Sequence, residues 1–189
     1  MIDPHIARRI RLVGFDVDGV LSDGGIYIGR VGDHPVEFKR FHSQDGTAAW
    51  LLRQAGLVLA LVSGRRSDAT TIRARELKID DVIEDTTAGG RKLEAFEALL
   101  ARRGIGWNEC AFVGDDMADI PLLARAALPI AVANAVPEVK AIARLVTERA
   151  GGDGAMRAVA ETLLKARGTW QALVDQYLEE RGHVADRAG

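Results

Sequence analysis

Aromatic residues are scarce in this 189-residue chain, at 5% against 48% for apolar residues as a whole. Its core should therefore be aliphatic and rich in alanine. There is a single cysteine, Cys110, which excludes an internal disulfide and suits a reducing compartment. Its apolar setting marks it as a core residue rather than a nucleophile. No apolar run approaches the ~20 residues of a membrane span, and the first residues lack a signal peptide's h-region. A cytoplasmic protein with no membrane partner is expected. Neither sign of charge dominates, with 25 Lys plus Arg against 27 Asp plus Glu, so no basic face argues for nucleic acid. The glycine-rich Lys-Ser/Thr loop of a nucleotide-binding module is also missing. The length fits one domain spanning 1–189, with a core of ordinary size.

What is present begins at Leu12–Leu21, where an apolar run ends in Asp16 and Asp18 and Gly19 turns the chain. A short continuous apolar run bounded by a turn reads as a buried parallel strand. Alternation then sends both carboxylates from its carboxyl end on the same side, at the sheet edge where α/β proteins bind ligands. Two like charges about 4 Å apart cost roughly 4 kcal/mol at an effective dielectric near 20, and a divalent cation would offset that. The bland alternative is a strand stopping at a solvated acidic turn.

The rest of the chain alternates strands and helices. A lead-in helix over 1–9 precedes the first strand, and Ile26–Ile28, a turn over Gly29–Asp33 and Val36–Phe41 make a β-hairpin (about 25–41). Alternation puts Ile26 and Ile28 on one face, with Val36 and Phe38 opposite them. Such a hairpin projects from the sheet, and its apolar surface calls for a partner. Ser43 is placed to cap a helix over Asp45–Ala55. Strands follow at Leu57–Val62, Asp81–Ile83, Cys110–Val113, Pro129–Val132 and Arg144–Thr147, with helices between them, one running from the Gly89–Gly90 loop through Arg91 and Lys92 to Arg103. The pattern predicts an α/β fold with a doubly wound parallel sheet. A helical tail at about 155–181 ends the chain, and the last eight residues are polar.

Three strands thus end in polar residues at one edge: Asp16/Asp18, Ser63 and Asp115/Asp116. Lys92 arrives from the segment between the last two. Carboxylates, a hydroxyl and a lysine suit a phosphate bridged by a hard cation, and Mg²⁺ favours one or two carboxylates plus phosphate and water. A signalling receiver uses similar groups, but there the acidic doublet precedes the acceptor aspartate, the reverse of the order here.

Phe15–Leu21, Ser63-Gly64-Arg65, Lys92 and Gly114-Asp115-Asp116 resemble, in order, the four motifs of haloacid-dehalogenase-type phosphatases. Ser22-Asp23-Gly24, Asp45-Gly46 and Gly151-Gly152-Asp153-Gly154-Ala155 extend the likeness to the 3-deoxy-D-manno-octulosonate 8-phosphate phosphatases over roughly residues 10–165. The resemblance implies a Mg²⁺-dependent phosphomonoesterase. Asp16 is its nucleophile, ionised because a free aspartate titrates near 3.9. Asp18 protonates the leaving alcohol and later activates water. Mg²⁺ lies on Asp16, the Asp18 carbonyl and Asp115, and Ser63 and Lys92 hold the phosphate. Ser43, Asp45, Gly46, Gly64, Arg65 and Arg73 match substrate-contacting positions, although a solvated helix arginine is the commoner case for Arg73. For Asp116 a helix cap and a role behind the metal stand open. Asp119 could equally orient Lys92 or a metal-bound water.

Neither the interval from Asp18 to Ser63 nor that from Ser63 to Lys92 has room for a cap domain, and the resemblance implies a homotetramer in which neighbours cover each mouth. Two positions depart from the sugar-acid pattern. Gln44 and Trp50 stand where basic residues are usual, and both remove positive charge. They suit an aromatic phosphate better, which keeps open a second resemblance, to the small subunit of phenylphosphate carboxylase. His42 reads as a loop residue rather than a ligand, His5, His34 and His183 have no partners at metal spacing and read as surface, and Trp107 and Trp170 read as packing residues.

Overall fold

The structure, a computed structural model, describes residues 2–84 and 92–182. The Gly89–Gly90 loop, Arg91, His183 and the polar end of the chain lie outside them. Leu12–Asp16 forms β1, buried at every position, as a strand covered on both faces requires. It pairs in parallel with β4 (Val58–Ser63) on one side and β6 (Cys110–Gly114) on the other. With β5 (Asp81–Glu84), β7 (Leu128–Ala131) and β8 (Leu145–Val146) the sheet order is β5-β4-β1-β6-β7-β8. The chain runs outward from β1 through β4 to β5, then returns to β6 on the other flank. β1 is therefore the switch point, the place where such sheets open a crevice at their strand carboxyl ends. The expected parallel sheet is what forms.

Helix α1 (Pro4–Arg9) starts where Asp3 accepts from the His5 amide at 2.7 Å and Pro4 occupies the first turn. It packs on α7 (Ala155–Arg167), which also contacts α2 (Gln44–Gln54) and α8 (Trp170–Glu179), while α3 (Asp68–Leu77) leans on α2. A second connected set is α4 (Lys92–Arg103), α5 (Ile120–Leu123) and α6 (Pro137–Ile142). The core is aliphatic apart from Phe15, Phe96 and Phe112. Phe96 meets Phe112 edge-on at 5.4 Å and Trp107 at 5.5 Å, so Trp107 is a packing residue. Cys110 is buried in this core, and burial pushes its thiol far above the usual range.

The hairpin stands apart as β2 (Tyr27–Val31) and β3 (His34–Phe38). Its register corrects the sequence reading. Tyr27 pairs with Phe38, Gly29 with Val36 and Ile28 with Glu37, so Val36 and Phe38 share a face with Tyr27, and Ile28 lies on the other. The turn is two residues, Gly32 and Asp33, not five. A one-residue change of register moves every side chain to the opposite face.

Candidate active site

β1 delivers Asp16, 4% exposed, to the carboxyl edge. Val17–Leu21 then makes a wide turn, closed where Ser22 N donates to the Val17 carbonyl at 2.9 Å. Gly19 holds φ +103°, and a Cβ there would overlap the Asp115 carboxylate, so only glycine serves both conformation and space. Gly151 presses against the same turn, where a side chain would overlap the Gly19 carbonyl.

Lys92 opens α4. That helix is tied to β5 at its other end, where Asp81 accepts from Arg102 at 2.8 Å and Arg103 at 2.9 Å. So placed, the buried Lys92 Nζ donates to Asp16 Oδ1 at 2.5 Å and to Asp119 Oδ1 at 2.9 Å. Asp119 Oδ2 accepts the amides of Asp115 (3.0 Å) and Asp116 (3.4 Å). Both Asp119 oxygens are thus engaged, which fits a residue that orients Lys92. Asp116 is exposed, and its carboxylate accepts the Met117 amide at 2.7 Å; of the two roles left open for it, the helix cap is the one its hydrogen bond fills.

Ligand oxygens of Asp16, Asp115 and Asp119 lie within 4.8 Å of one another. Burial, then Asp119, drives Asp16 well above the ordinary carboxylate pKa, against the pull of Lys92. Burial, with Asp119 and Asp116, raises Asp115 to about 7. Burial alone would depress the Lys92 ammonium, but Asp16 and Asp119 outweigh it and hold it above its ordinary value. The carboxylates are crowded and desolvated, so Asp16 holds its proton more tightly than a free aspartate until positive charge relieves them. Clustered hard oxygen donors with unrelieved repulsion are what a hard divalent cation satisfies, so the residues fit Mg²⁺.

Ser63, buried at the end of β4, donates from Oγ to the Arg65 carbonyl at 2.9 Å and accepts the Arg65 amide at 3.1 Å. Gly64 is exposed beside the Lys92 stem. Arg65 reaches Glu37 of the hairpin at 2.9 Å. Asp18 lies beyond the carboxylate cluster, with Oδ1 2.5 Å from Lys39 Nζ.

Other expected contact residues sit elsewhere. Asp45 is fully buried, and its Oδ1 accepts the Arg157 amide in the first turn of α7 at 3.1 Å. It ties two helices together. Burial raises it to about 6 against the Arg157 amide, His42, Arg73 and Arg149. Ser43 makes no capping hydrogen bond because its own backbone is already helical. Gly46 follows, half-buried, in the first turn of α2. Arg73 is not a solvated arginine. Its side chain is 16% exposed, donates to the His42 carbonyl at 3.0 Å and lies over Phe41. His42 is a loop residue, while His5 and His34 are exposed. Gln44 lines a groove of about 1190 Å³ that includes Arg149 and Arg157 but none of the acidic cluster. Trp50 meets Tyr177 of α8 edge-on at 5.0 Å, with Arg181 over both rings. The aromatic position that suggested an aromatic phosphate is therefore a packing site for the C-terminal helix. Trp170 lies beneath Arg157 and Lys165.

Sequence reasoning missed two residues. Asn134 donates from Nδ2 to the Gly19 carbonyl at 3.0 Å and accepts the Gly151 amide on Oδ1 at 2.7 Å, clamping the Asp18 turn to the glycine-rich loop. Its signal was available, as a polar residue shortly after β7 at the same sheet edge. Lys39 is the other. Strand alternation disguised it as part of the hairpin's solvated face.

Comparison with known proteins agrees with this geometry. The sequence model of the haloacid dehalogenase-like hydrolases matches residues 79–159. The chain is 38% identical over 170 residues to 3-deoxy-D-manno-octulosonate 8-phosphate phosphatase KdsC of Salmonella typhimurium, covering 88% of this chain and 87% of that one. The crystal structure of the Moraxella catarrhalis 3-deoxy-D-manno-octulosonate 8-phosphate phosphatase, in complex with magnesium, phosphate and KDO, superposes with TM-score 0.84 at 34% identity, covering 92% and 97%. A probable YrbI family phosphatase from Pseudomonas syringae gives TM-score 0.85 at 35% identity, covering 93% and 96%.

Proposed function

The chain belongs to the haloacid dehalogenase-like hydrolases, and from that premise we propose that it is a Mg²⁺-dependent phosphomonoesterase acting on 3-deoxy-D-manno-octulosonate 8-phosphate through an aspartyl-phosphate. One observation carries the chemistry: Asp16 and Lys92, remote in sequence from each other and from Asp115 and Asp119, meet those two aspartates at the carboxyl ends of β1 and β6. The substrate rests on the likeness to KdsC and to the KDO complex.

Asp16 is the nucleophile. Lys92 pins its Oδ1 and brings positive charge to the phosphate it attacks. Asp119 fixes Lys92 through one oxygen and the 115–116 amides through the other, so the lysine cannot swing away. Asp18, partly exposed beyond the cluster, gives its proton to the departing alcohol and then takes one from the water that cleaves the aspartyl-phosphate. Ser63, with the backbone at Gly64, holds phosphate oxygens once its bond to the Arg65 carbonyl is exchanged for them. Arg65 faces the substrate from the rim. Asp16, Asp115 and the Asp18 carbonyl would hold Mg²⁺, which would supply the positive charge that offsets repulsion between anionic nucleophile and anionic phosphate.

Among the described residues the mouth has no cap of its own. The hairpin beside it leaves Ile28 74% and Phe38 60% exposed, with Ile26 and Val31 also in solvent. Apolar patches of that kind mark association surfaces, which supports a homotetramer whose neighbours cover the site. Among the described residues no helix is long and apolar enough to cross a membrane, and the single buried thiol suits the cytoplasm.

The test is phosphate release by the purified protein from 3-deoxy-D-manno-octulosonate 8-phosphate. Chelation should abolish turnover and Mg²⁺ restore it, while Asp16→Asn should lower kcat by about 10³-fold or more. Turnover that survives Asp16→Asn refutes the nucleophile. Phosphatase activity confined to other esters refutes the substrate alone.

A further inference from the structure

We propose that Lys39 is a positioning residue for the reaction: the hairpin delivers it to Asp18, and it fixes which oxygen of that carboxylate meets the leaving group. The inference rests on the acid–base role given to Asp18 above.

Lys39 follows directly on β3, and its Nζ lies 2.5 Å from Asp18 Oδ1. Its side chain is 1% exposed, against 28% for Asp18. An ammonium so enclosed needs a partner, because an unpaired buried charge is costly. Among the described residues Asp18 is the partner it has, and Lys39 is in turn the one group hydrogen-bonded to the Asp18 carboxylate. This is unlike the hairpin's outer pair, Arg40 with Asp23, which is 3.9 Å apart with the arginine 58% exposed and so contributes little.

Placement of the pair ties it to the chemistry. Glu37 and Lys39 are two residues apart and share a face of the strand. Glu37 takes Arg65, just past Ser63, while Lys39 takes Asp18. One strand face therefore grips both turns that border the mouth. Asp18 itself sits on the turn that follows β1, with φ −83° and ψ 101°. An acid must present an oxygen within hydrogen-bond reach of the atom it protonates. With Oδ1 accepting from Lys39, the proton of the acid form sits on Oδ2, the oxygen left for the alcohol. The hairpin thus supplies part of the reaction centre as well as an association surface.

Leaving-group dependence separates this role from a structural one. An alkyl alcohol must be protonated as it departs, whereas p-nitrophenolate leaves without a proton. kcat/KM, which covers steps up to phosphoenzyme formation, is measured for both ester types on wild type, Lys39→Met, Lys39→Arg and Asp18→Asn. The alkyl ester is 3-deoxy-D-manno-octulosonate 8-phosphate, or glycerol 2-phosphate if wild type rejects the sugar acid. Lys39→Met should lose about 10- to 100-fold on the alkyl ester and less than about threefold on p-nitrophenyl phosphate, the range typical of groups that orient an active-site ligand. Lys39→Arg should recover most of the loss. Equal losses on both esters, or none, overturn the proposal provided Asp18→Asn itself discriminates between them. If Asp18→Asn falls equally on both, the acid role of Asp18 is what fails, and the inference goes with it. Thermal melting confirms that each variant is folded. Should Lys39→Met not fold, Lys39→Ala, which can neither donate nor carry charge and leaves room for water, carries the same comparison.

Discussion

Replacing Asp45 by asparagine should change the pH dependence of stability while leaving the carboxylate cluster untouched. Asp45 is fully enclosed between α2 and α7, and one of its oxygens, Oδ2, finds no partner among the described residues. Burial raises its pKa from 3.8 to about 6, although the Arg157 amide, His42, Arg73 and Arg149 all favour the ionised form. Because the folded value lies above the unfolded one, the folded protein holds this proton more tightly. The associated stability is complete below pH 3.8 and is lost as pH rises through about 6. That difference corresponds to roughly 3 kcal/mol in full, of which roughly half is already lost at pH 5. The substituted amide would keep an acceptor for the Arg157 N–H and carry no charge at any pH. Stability of the variant relative to wild type should therefore improve by about 2 to 3 kcal/mol between pH 4 and pH 8, whatever the offset at either end. For a chain of this size that is a relative gain of about 5 to 12 °C in Tm. Urea titrations of both proteins at pH 4, 5, 6, 7 and 8 give the difference directly. Asp16 and Asp115 titrate in both proteins and cancel. A difference independent of pH would refute the raised Asp45 and the desolvation argument behind it.

Gly19→Ala places a side chain at φ +103° and against the Asp115 carboxylate; phosphatase activity should fall by about 100-fold or more, the cost of displacing a group at the reaction centre, with a stability loss of about 1 to 3 kcal/mol from backbone strain. Ile28→Asp puts a charge on the most exposed apolar side chain of the hairpin, and light scattering should show the tetramer giving way to smaller species; a wild type that is monomeric from the outset would refute the assembly.

Much of the site could be read before the fold was known because parallel topology does the converging. Once Leu12–Asp16, Leu57–Val62 and Cys110–Val113 read as buried strands, Asp16, Ser63 and Asp115 had to share an edge, and the structure gathers Asp16 and Asp115 beside Lys92 there. What escaped depends on which way a side chain turns after its backbone is placed. Asp45 lies in a motif that looks like a rim loop, yet the amide it finds in the first turn of α7 draws its carboxylate inward. Arg73 looks like an ordinary helix-surface arginine until Phe41 and the His42 carbonyl close over it. Trp50 was weighed as a change of specificity, because nothing in sequence says that α8 folds back onto α2. The hairpin register failed because the turn is two residues long and not five, an odd difference that decides whether Lys39 and Glu37 face solvent or the catalytic turns.

The contact between Gly19 and Gly151 joins segments separated by most of the chain, and neither has room for even a methyl group. A library randomised at residue 151 should consequently return glycine alone among active clones, although that residue has no side chain to take part in the chemistry. The far end of the polypeptide acts as a gauge block, setting the height of the catalytic turn.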